Sequence, residues 1–243
     1  MRTFLEDVAE KIYKTHPDLG KVTVVFPNRR ASLYFKKYLS TMLSRPVFSP
    51  KILTIEDFFA EFSPLKVPDK LVLIARLFAA YKRVMDTIPD EVDSDSIDRF
   101  EDFYFWGEML IRDFDEVDKY MIPASQLFKD LSHQKELDAS FDFLTEEQRE
   151  FLKDFWSNFD TDQSVNKRRF LRMWRRLFLV YDQFRKDLFT EGLAYEGMLH
   201  RHVAESLVDK NSVRINSDRT IVFAGFNALT ATEEVLITFF VEH

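Results

Sequence analysis

Two stretches of this chain combine arginines with a helical pattern in a way that suits phosphate binding. The first is FPNRRASLYF, residues 26–35, in which an apolar run leads into an amphipathic helix with Asn28, Arg29 and Arg30 at the junction. The backbone N–H groups at a helix start attract phosphate, and arginine side chains add charge and direction. Because no glycine and no Lys-Ser or Lys-Thr pair follows, the junction is not a nucleotide-binding P-loop. We predict that it contacts phosphate in another setting.

The second stretch is KRRFLRMWRRLF, residues 167–178, where an apolar helical stripe leaves five arginines on the rest of the helix. These side chains could neutralise several DNA phosphates, or they could pair with acidic residues of the same chain. The sequence favours pairing within the chain over DNA contact. The candidate DNA contacts of this helix are Arg168, Arg172, Arg175 and Arg176. Its tryptophan, like the other two, is predicted to be core: Trp106, Trp156 and Trp174.

The residue types that hold metals or perform nucleophilic catalysis are poorly represented. Cysteine is absent, which excludes disulfides, thiolate zinc sites and cysteine nucleophiles. His200 and His202 are two positions apart, so on a helix they would point to different faces. Asp93, Asp95 and Asp98 begin like a calcium-binding loop, but Asp98 stands where that loop needs glycine.

A further acidic cluster lies on a predicted helix and consists of Asp113, Asp115, Glu116 and Asp118. Phe114 and Val117 mark the opposite, apolar face, so we predict a solvated acidic face rather than a magnesium site. No lysine of the chain has Asp or Glu two positions before it, as a PD-(D/E)XK nuclease centre requires. The sequence therefore predicts no catalytic residue and no metal ligand in this chain.

Charge is divided unevenly along the 243 residues, whose net charge is -7. Residues 86–160 hold 22 acidic and 7 basic side chains, whereas residues 1–85 hold 15 basic and 8 acidic ones. This division predicts one surface suited to polyanions and another that repels them. The chain has no apolar run of the roughly 18 residues that a membrane span needs, and acids occur near its N-terminus. We therefore expect a cytoplasmic protein with no membrane partner.

The elements that must position these residues alternate between strand and helix at both ends of the chain. Apolar, β-branched runs predict strands at 22–26, 51–55 and 219–225. Helical periodicity predicts helices at 3–15, 29–44 and 56–62, and a last helix capped by Thr230 or Thr232. In the helix at 29–44, Leu33 is among the residues predicted to face inward.

Between residues 69 and 207 only helical patterns occur. Strands separated by helices favour a parallel sheet, but the third strand lies too far along the chain for one simple crossover. We therefore predict an α/β core made of residues 1–66 and 208–243, built around a small parallel sheet. Residues 67–207 are predicted to form a large all-helical insertion.

Four stretches carry a resemblance to a known family. FPNRRASLYF resembles the T-N-K/R-A-A turn of superfamily 1 helicases, which contacts single-stranded DNA, and LTIEDFF, residues 53–59, resembles their T-F-H-type turn. Pro27 departs from the first motif, and Ile55-Glu56 replace the aromatic-His pair of the second. With residues 103–120 and 221–236, these motifs make nearly the whole chain similar to the N-terminal region of AddB/RexB-type exonucleases of the PD-(D/E)XK family.

The resemblance implies a sheet of helicase-like, P-loop NTPase-related topology and a role in DNA break processing, repair and recombination. It implies a DNA-guiding region without ATPase activity, since the chain has no P-loop and Gly225-Phe226 stand where an Asp-Glu pair would hold magnesium. The nuclease domain, with its divalent metal, is expected beyond residue 243, which would make this chain a fragment. The alternative is an interaction scaffold that docks a helicase-type partner through its acidic, aromatic helical lobe.

Overall fold

The structure is a computed structural model that describes residues 2–87, 97, 99–128, 163–209 and 219–242. For residues 163–175 it describes the backbone alone. In chain order the elements are α1 (Phe4–Thr15), a 3₁₀ turn (Leu19–Lys21), β1 (Val22–Phe26), α2 (Arg29–Met42), β2 (Lys51–Thr54), α3 (Ile55–Ala60), α4 (Lys70–Thr87), α5 (Phe100–Lys119), α6 (Gln163–Thr190), α7 (Glu196–Val208), β3 (Thr220–Phe223) and α8 (Ala231–Glu242).

These elements belong to two compact units. The core unit comprises Met1–Val67, Asp118–Met121 and Ala194–His243, and the helical unit comprises Pro68–Val117 and Ile122–Leu193. The sequence places the end of the helical insertion at residue 207, whereas the structure assigns α7 to the core unit. The reason is packing: His200 of α7 stacks on Phe59 of α3, with ring centroids 3.9 Å apart.

The three strands form one parallel sheet in the order β2-β1-β3. Val24 of the central strand lies beside Ile52 of β2 and Val222 of β3. All five residues of β1 are buried, as expected of a strand that is paired on both edges and covered on both faces. The predicted α/β class and the parallel sheet are therefore confirmed.

The alternation of side chains along the strands sends neighbouring residues to opposite faces of the sheet. Val24 and Phe26 pack with Phe35 of α2, in a core that α1 also joins. On the other face, the ring of Phe223 contacts Phe58 of α3 at a centroid distance of 5.6 Å, and Phe58 contacts Phe240 of α8 at 5.3 Å. Thus α2, which follows β1, and α8, which follows β3, cover opposite faces.

Short side-chain caps set where two helices of the core unit, α3 and α8, begin. At α3, the Thr54 hydroxyl accepts from the Asp57 N–H at 3.2 Å, and Asp57 bonds back to Thr54. At α8, the Thr230 N–H donates to the Glu233 carboxylate at 2.8 Å. Thr230 is therefore the cap, and Thr232 is a buried residue inside the helix.

In the helical unit, α4 is joined to its neighbours by ion pairs. Arg83 lies 2.8 Å from Asp187 of α6, and Lys70 pairs with Glu108 of α5. Trp106 is 2% exposed, which confirms its prediction as core. Trp156 lies outside the described residues, as does the side chain of Trp174. None of the described helices is both long enough and apolar enough to cross a membrane.

Two predicted orientations are wrong. Leu33, expected to face inward, is 66% exposed, because α2 buries Ser32, Phe35 and Leu39, and Leu33 lies on the opposite side of the helix. Asp118, expected on a solvated face, is fully buried. Its helix ends in the core unit, where polar partners surround the carboxylate.

Those partners come from the start of α7 and the residue before it. The Tyr195 hydroxyl donates to one oxygen of Asp118, and Arg201 donates to the other at 3.2 Å. A buried carboxylate is stable only when such hydrogen bonds replace water. Next to this group, the Ala194 N–H donates to the Lys66 carbonyl at 2.9 Å. The chain thus returns to the core unit beside the point where it leaves.

We expect Tyr195→Phe to destabilise the protein by about 1.5–3 kcal/mol, since a buried charged acceptor loses its donor. Urea denaturation measures this free energy of unfolding. The control is Tyr120→Phe, whose side chain is 49% exposed and should change stability by less than about 0.5 kcal/mol. Equal effects of the two substitutions would contradict the assigned role of Tyr195.

Candidate functional site

The carboxyl ends of the three parallel strands meet at one edge of the sheet, which is where open α/β sheets bind ligands. The favoured position is a switch point, where the helices after two adjacent strands leave toward opposite faces. Strands β1 and β3 are adjacent, and α2 and α8 cover opposite faces of the sheet. The gap between the ends of β1 and β3 is therefore the expected position of a ligand site.

The loop after β1 brings the predicted phosphate contacts to this edge. Asn28 caps α2, because its side-chain oxygen accepts from the Ala31 N–H at 2.9 Å. Arg29 and Arg30 form the first turn of the helix and are exposed. The asparagine therefore shapes the helix start, and the two guanidinium groups are free to reach a ligand.

Further cations lie on the solvent-exposed face of α2. The sequence of α2, RRASLYFKKYLSTM, has no acidic residue, and Arg29, Arg30, Lys36 and Lys37 are all exposed. Within the part of the chain that the structure describes, none of the four forms an ion pair. Lys36 and Lys37 are not among the candidate contacts predicted from the sequence, although the absence of acids from a helix with four cations was the available signal.

Apolar side chains lie among these cations. Leu33 is 66% exposed and Tyr34 is 42% exposed, both on the face of α2 that points away from the core. A positively charged surface with interspersed apolar and aromatic groups is typical of nucleic-acid binding, because phosphates meet cations and bases meet rings.

Two acidic residues at the same edge make structural hydrogen bonds. Asp57 and Glu233 cap α3 and α8, so their carboxylates hold helix starts. At Gly225, where the resemblance places an acidic residue of an ATPase, the backbone has a φ of 85° and no side chain. Among the described residues, no group of three His, Cys, Asp or Glu side chains could hold a metal ion.

The arginines of the second predicted site lie on α6 in the helical unit. For Arg168, Arg172 and Arg175 the structure describes only the backbone. Arg176 is 9% exposed, and its Nη1 lies 3.0 Å from the Met85 sulfur. This interior position removes Arg176 from the candidate DNA surface. The aspartates of the calcium-like stretch, Asp93, Asp95 and Asp98, lie outside the described residues.

His200 is the buried titratable group with the clearest shift. The ring is 2% exposed and stacks on Phe59 with an angle of 14° between the planes. Neither ring nitrogen has a hydrogen-bond partner among the described residues. Burial, and to a smaller extent the charge of Lys119, lowers the pKa of His200 from 6.5 to about 3. Such a histidine is neutral at pH 7 and far from the pKa that suits a general base, so it acts as an apolar core residue.

The burial of His200 predicts a loss of stability in acid. Unfolded His200 takes up a proton below about pH 6.5, whereas the folded protein takes it up only near pH 3. Above pH 6.5 His200 is neutral in both states and its titration does not affect the free energy of unfolding. Below that pH the free energy of unfolding decreases, by about 3 kcal/mol between pH 7 and pH 4. Urea denaturation at several pH values measures this change.

The matched variants are His200→Phe and His202→Gln. The first should lose that part of the pH dependence, because no ionisable ring remains in the site. The second replaces a half-buried histidine of the same helix and should keep the pH dependence of stability that His200 causes. An unchanged pH dependence in His200→Phe would refute the assignment.

No protein-family model matches the chain, and a search of curated proteins finds no similar one.

Proposed function

We propose that this chain is a non-catalytic, helicase-like DNA-guiding region of a PD-(D/E)XK family exonuclease that acts in DNA break processing. The observation that most supports this proposal is the surface at the carboxyl edge of the sheet. There, Arg29 and Arg30 open an acid-free helix, are exposed, and have no ion-pair partner among the described residues. The motif resemblance of residues 26–35 and 53–59 supports the choice of DNA as the ligand.

The charges of α2 favour contact with a sugar-phosphate backbone over contact with a single anion. Arg29 and Lys36, or Arg30 and Lys37, are seven positions and therefore about 10 Å apart along the helix axis. Exposed cations spread over two turns can each meet a different phosphate of one strand. The proposed role is to hold and direct DNA, with the hydrolytic chemistry and its divalent metal assigned to a separate nuclease domain.

The double variant Arg29→Ala with Arg30→Ala should weaken binding of single-stranded DNA by roughly 10- to 100-fold at low salt. The slope of log affinity against log salt should become less steep by about 1.4, since two phosphate contacts on a single strand are lost. Fluorescence anisotropy of a labelled oligonucleotide at several salt concentrations measures both quantities.

A matched control removes the same charge elsewhere in the core unit. Lys21 is exposed and lies directly before β1, and Arg45 is exposed in the loop that leads from α2 to the amino end of β2. Lys21→Ala with Arg45→Ala should leave affinity nearly unchanged. If both double variants lose affinity equally, then α2 is not the contact and general charge explains the binding.

A second candidate is a scaffold that docks a helicase-type protein through the helical unit. The observation in its favour is a set of exposed apolar side chains beside the acidic residues of α5. Leu71 of α4 is 58% exposed and Phe105 of α5 is 53% exposed, near the ion pair between Lys70 and Glu108. Rings and aliphatic groups in such a setting are typical anchors of protein interfaces.

This candidate predicts that Leu71→Ser with Phe105→Ser abolishes copurification with a coexpressed superfamily 1 helicase. Affinity capture through a tag on the helicase, in high salt and with nuclease present, measures the interaction without bridging DNA. Leu33→Ser, which also removes an exposed leucine but from α2, is the control and should copurify normally. Retention of the Leu71 and Phe105 double variant would exclude this docking surface.

A further inference from the structure

Phe4 presents an exposed aromatic ring at the switch point, near the loop that leads into Arg29 and Arg30 at the start of α2. Phe4 is the first residue of α1 and is 60% exposed. Its Cε1 lies 3.7 Å from the point that a Cβ at Gly225 would occupy, and Cδ of Pro27 lies 3.8 Å from the same point. The ring therefore borders the ends of both β1 and β3.

Gly225 keeps this place open. Its φ of 85° is in the left-handed region that favours glycine, and it carries no side chain toward the ring. The described neighbours of the open position are the Phe4 ring and the Pro27 ring. The planar ring of Phe4 and the apolar ring of Pro27 thus flank a surface from which the chain runs through Asn28 directly into Arg29 and Arg30.

We propose that Phe4 is a stacking platform for one unpaired base of a nucleic acid whose phosphates Arg29 and Arg30 hold. This inference rests on the proposed function and adds a binding residue and a strand preference to it. Aromatic rings on a protein surface stack with bases of any identity, since every base has a π face. The nearby exposed cations favour a nucleotide strand over an apolar peptide as the occupant.

The geometry also selects single strands over duplexes. In a duplex, each base is already stacked on its neighbours and paired, so its faces are closed to a ring on the protein surface. Phosphate contacts make no such distinction, because both forms present them. Phe4 should therefore contribute to the binding of single strands only, whereas Arg29 and Arg30 should contribute to both.

The test compares Phe4→Ala with the unsubstituted chain. The probes are a labelled single-stranded oligodeoxythymidylate of roughly 15 nucleotides and a duplex of equal length. We expect Phe4→Ala to bind the single strand about 5- to 100-fold more weakly, and the duplex as before. The salt dependence should not change, since no charge is lost. Because the ring is mostly exposed, the variant should fold normally, which its urea midpoint checks.

Phe48→Ala is the matched control. This phenylalanine is 86% exposed, and its Cβ lies 3.3 Å from the Cβ position of Gly20, in the turn before β1 at the amino end of that strand. It should bind both probes normally. Phe4→Trp should restore single-strand binding, because indole also stacks, and the binding should quench its added fluorescence.

The outcomes separate this inference from the function on which it rests. If Phe4→Ala binds the single strand as well as the unsubstituted chain while the Arg29 and Arg30 double variant binds weakly, the platform is wrong and the proposed function stands. Equal losses in Phe4→Ala and Phe48→Ala would also overturn the platform. If the unsubstituted chain binds neither probe at low salt, both proposals are wrong.

Discussion

The core unit depends on β1 being paired on both edges and packed on both faces. Its five residues are all buried, so every backbone polar group that lies between β2 and β3 must find its partner there. The neighbours come from distant parts of the sequence, since β2 starts at Lys51 and β3 at Thr220. Everything between the second and third strands must therefore leave the sheet and return to it, and the helical unit occupies most of that excursion.

This constraint also decides where ligands can meet the core unit. Because the strands are parallel, their carboxyl ends share one edge, and the helices that follow β1 and β3 diverge there. Asp57 and Glu233 at this edge cap their own helices, while the cations of α2 remain exposed. At this edge α2 presents exposed cations, whereas the first turns of α1, α3 and α8 carry acidic residues.

The segments of the core unit at which the chain leaves and re-enters this unit are held together by polar contacts. Asp118, at the end of α5, accepts from Tyr195 and Arg201, and Ala194 bonds to Lys66. A buried carboxylate that lost these donors would keep its desolvation cost without compensation, so the contacts are mutually dependent. They bring three distant parts of the chain to one place in the core unit, and they explain why α7 belongs to it.

Local features of the sequence determined the elements: the apolar runs predict β1, β2 and β3, and the Thr230 and Thr232 pair predicts the start of α8, although the structure was needed to select Thr230 as the cap. The arginines at the start of α2 were also visible, because a cap followed by two cations is a local pattern. Tertiary structure alone decided that Leu33 is exposed, that Asp118 and Arg176 are buried, and that Phe4 meets Gly225. These outcomes depend on which distant segments pack against each helix face. The periodicity within one helix does not reveal which segments these are.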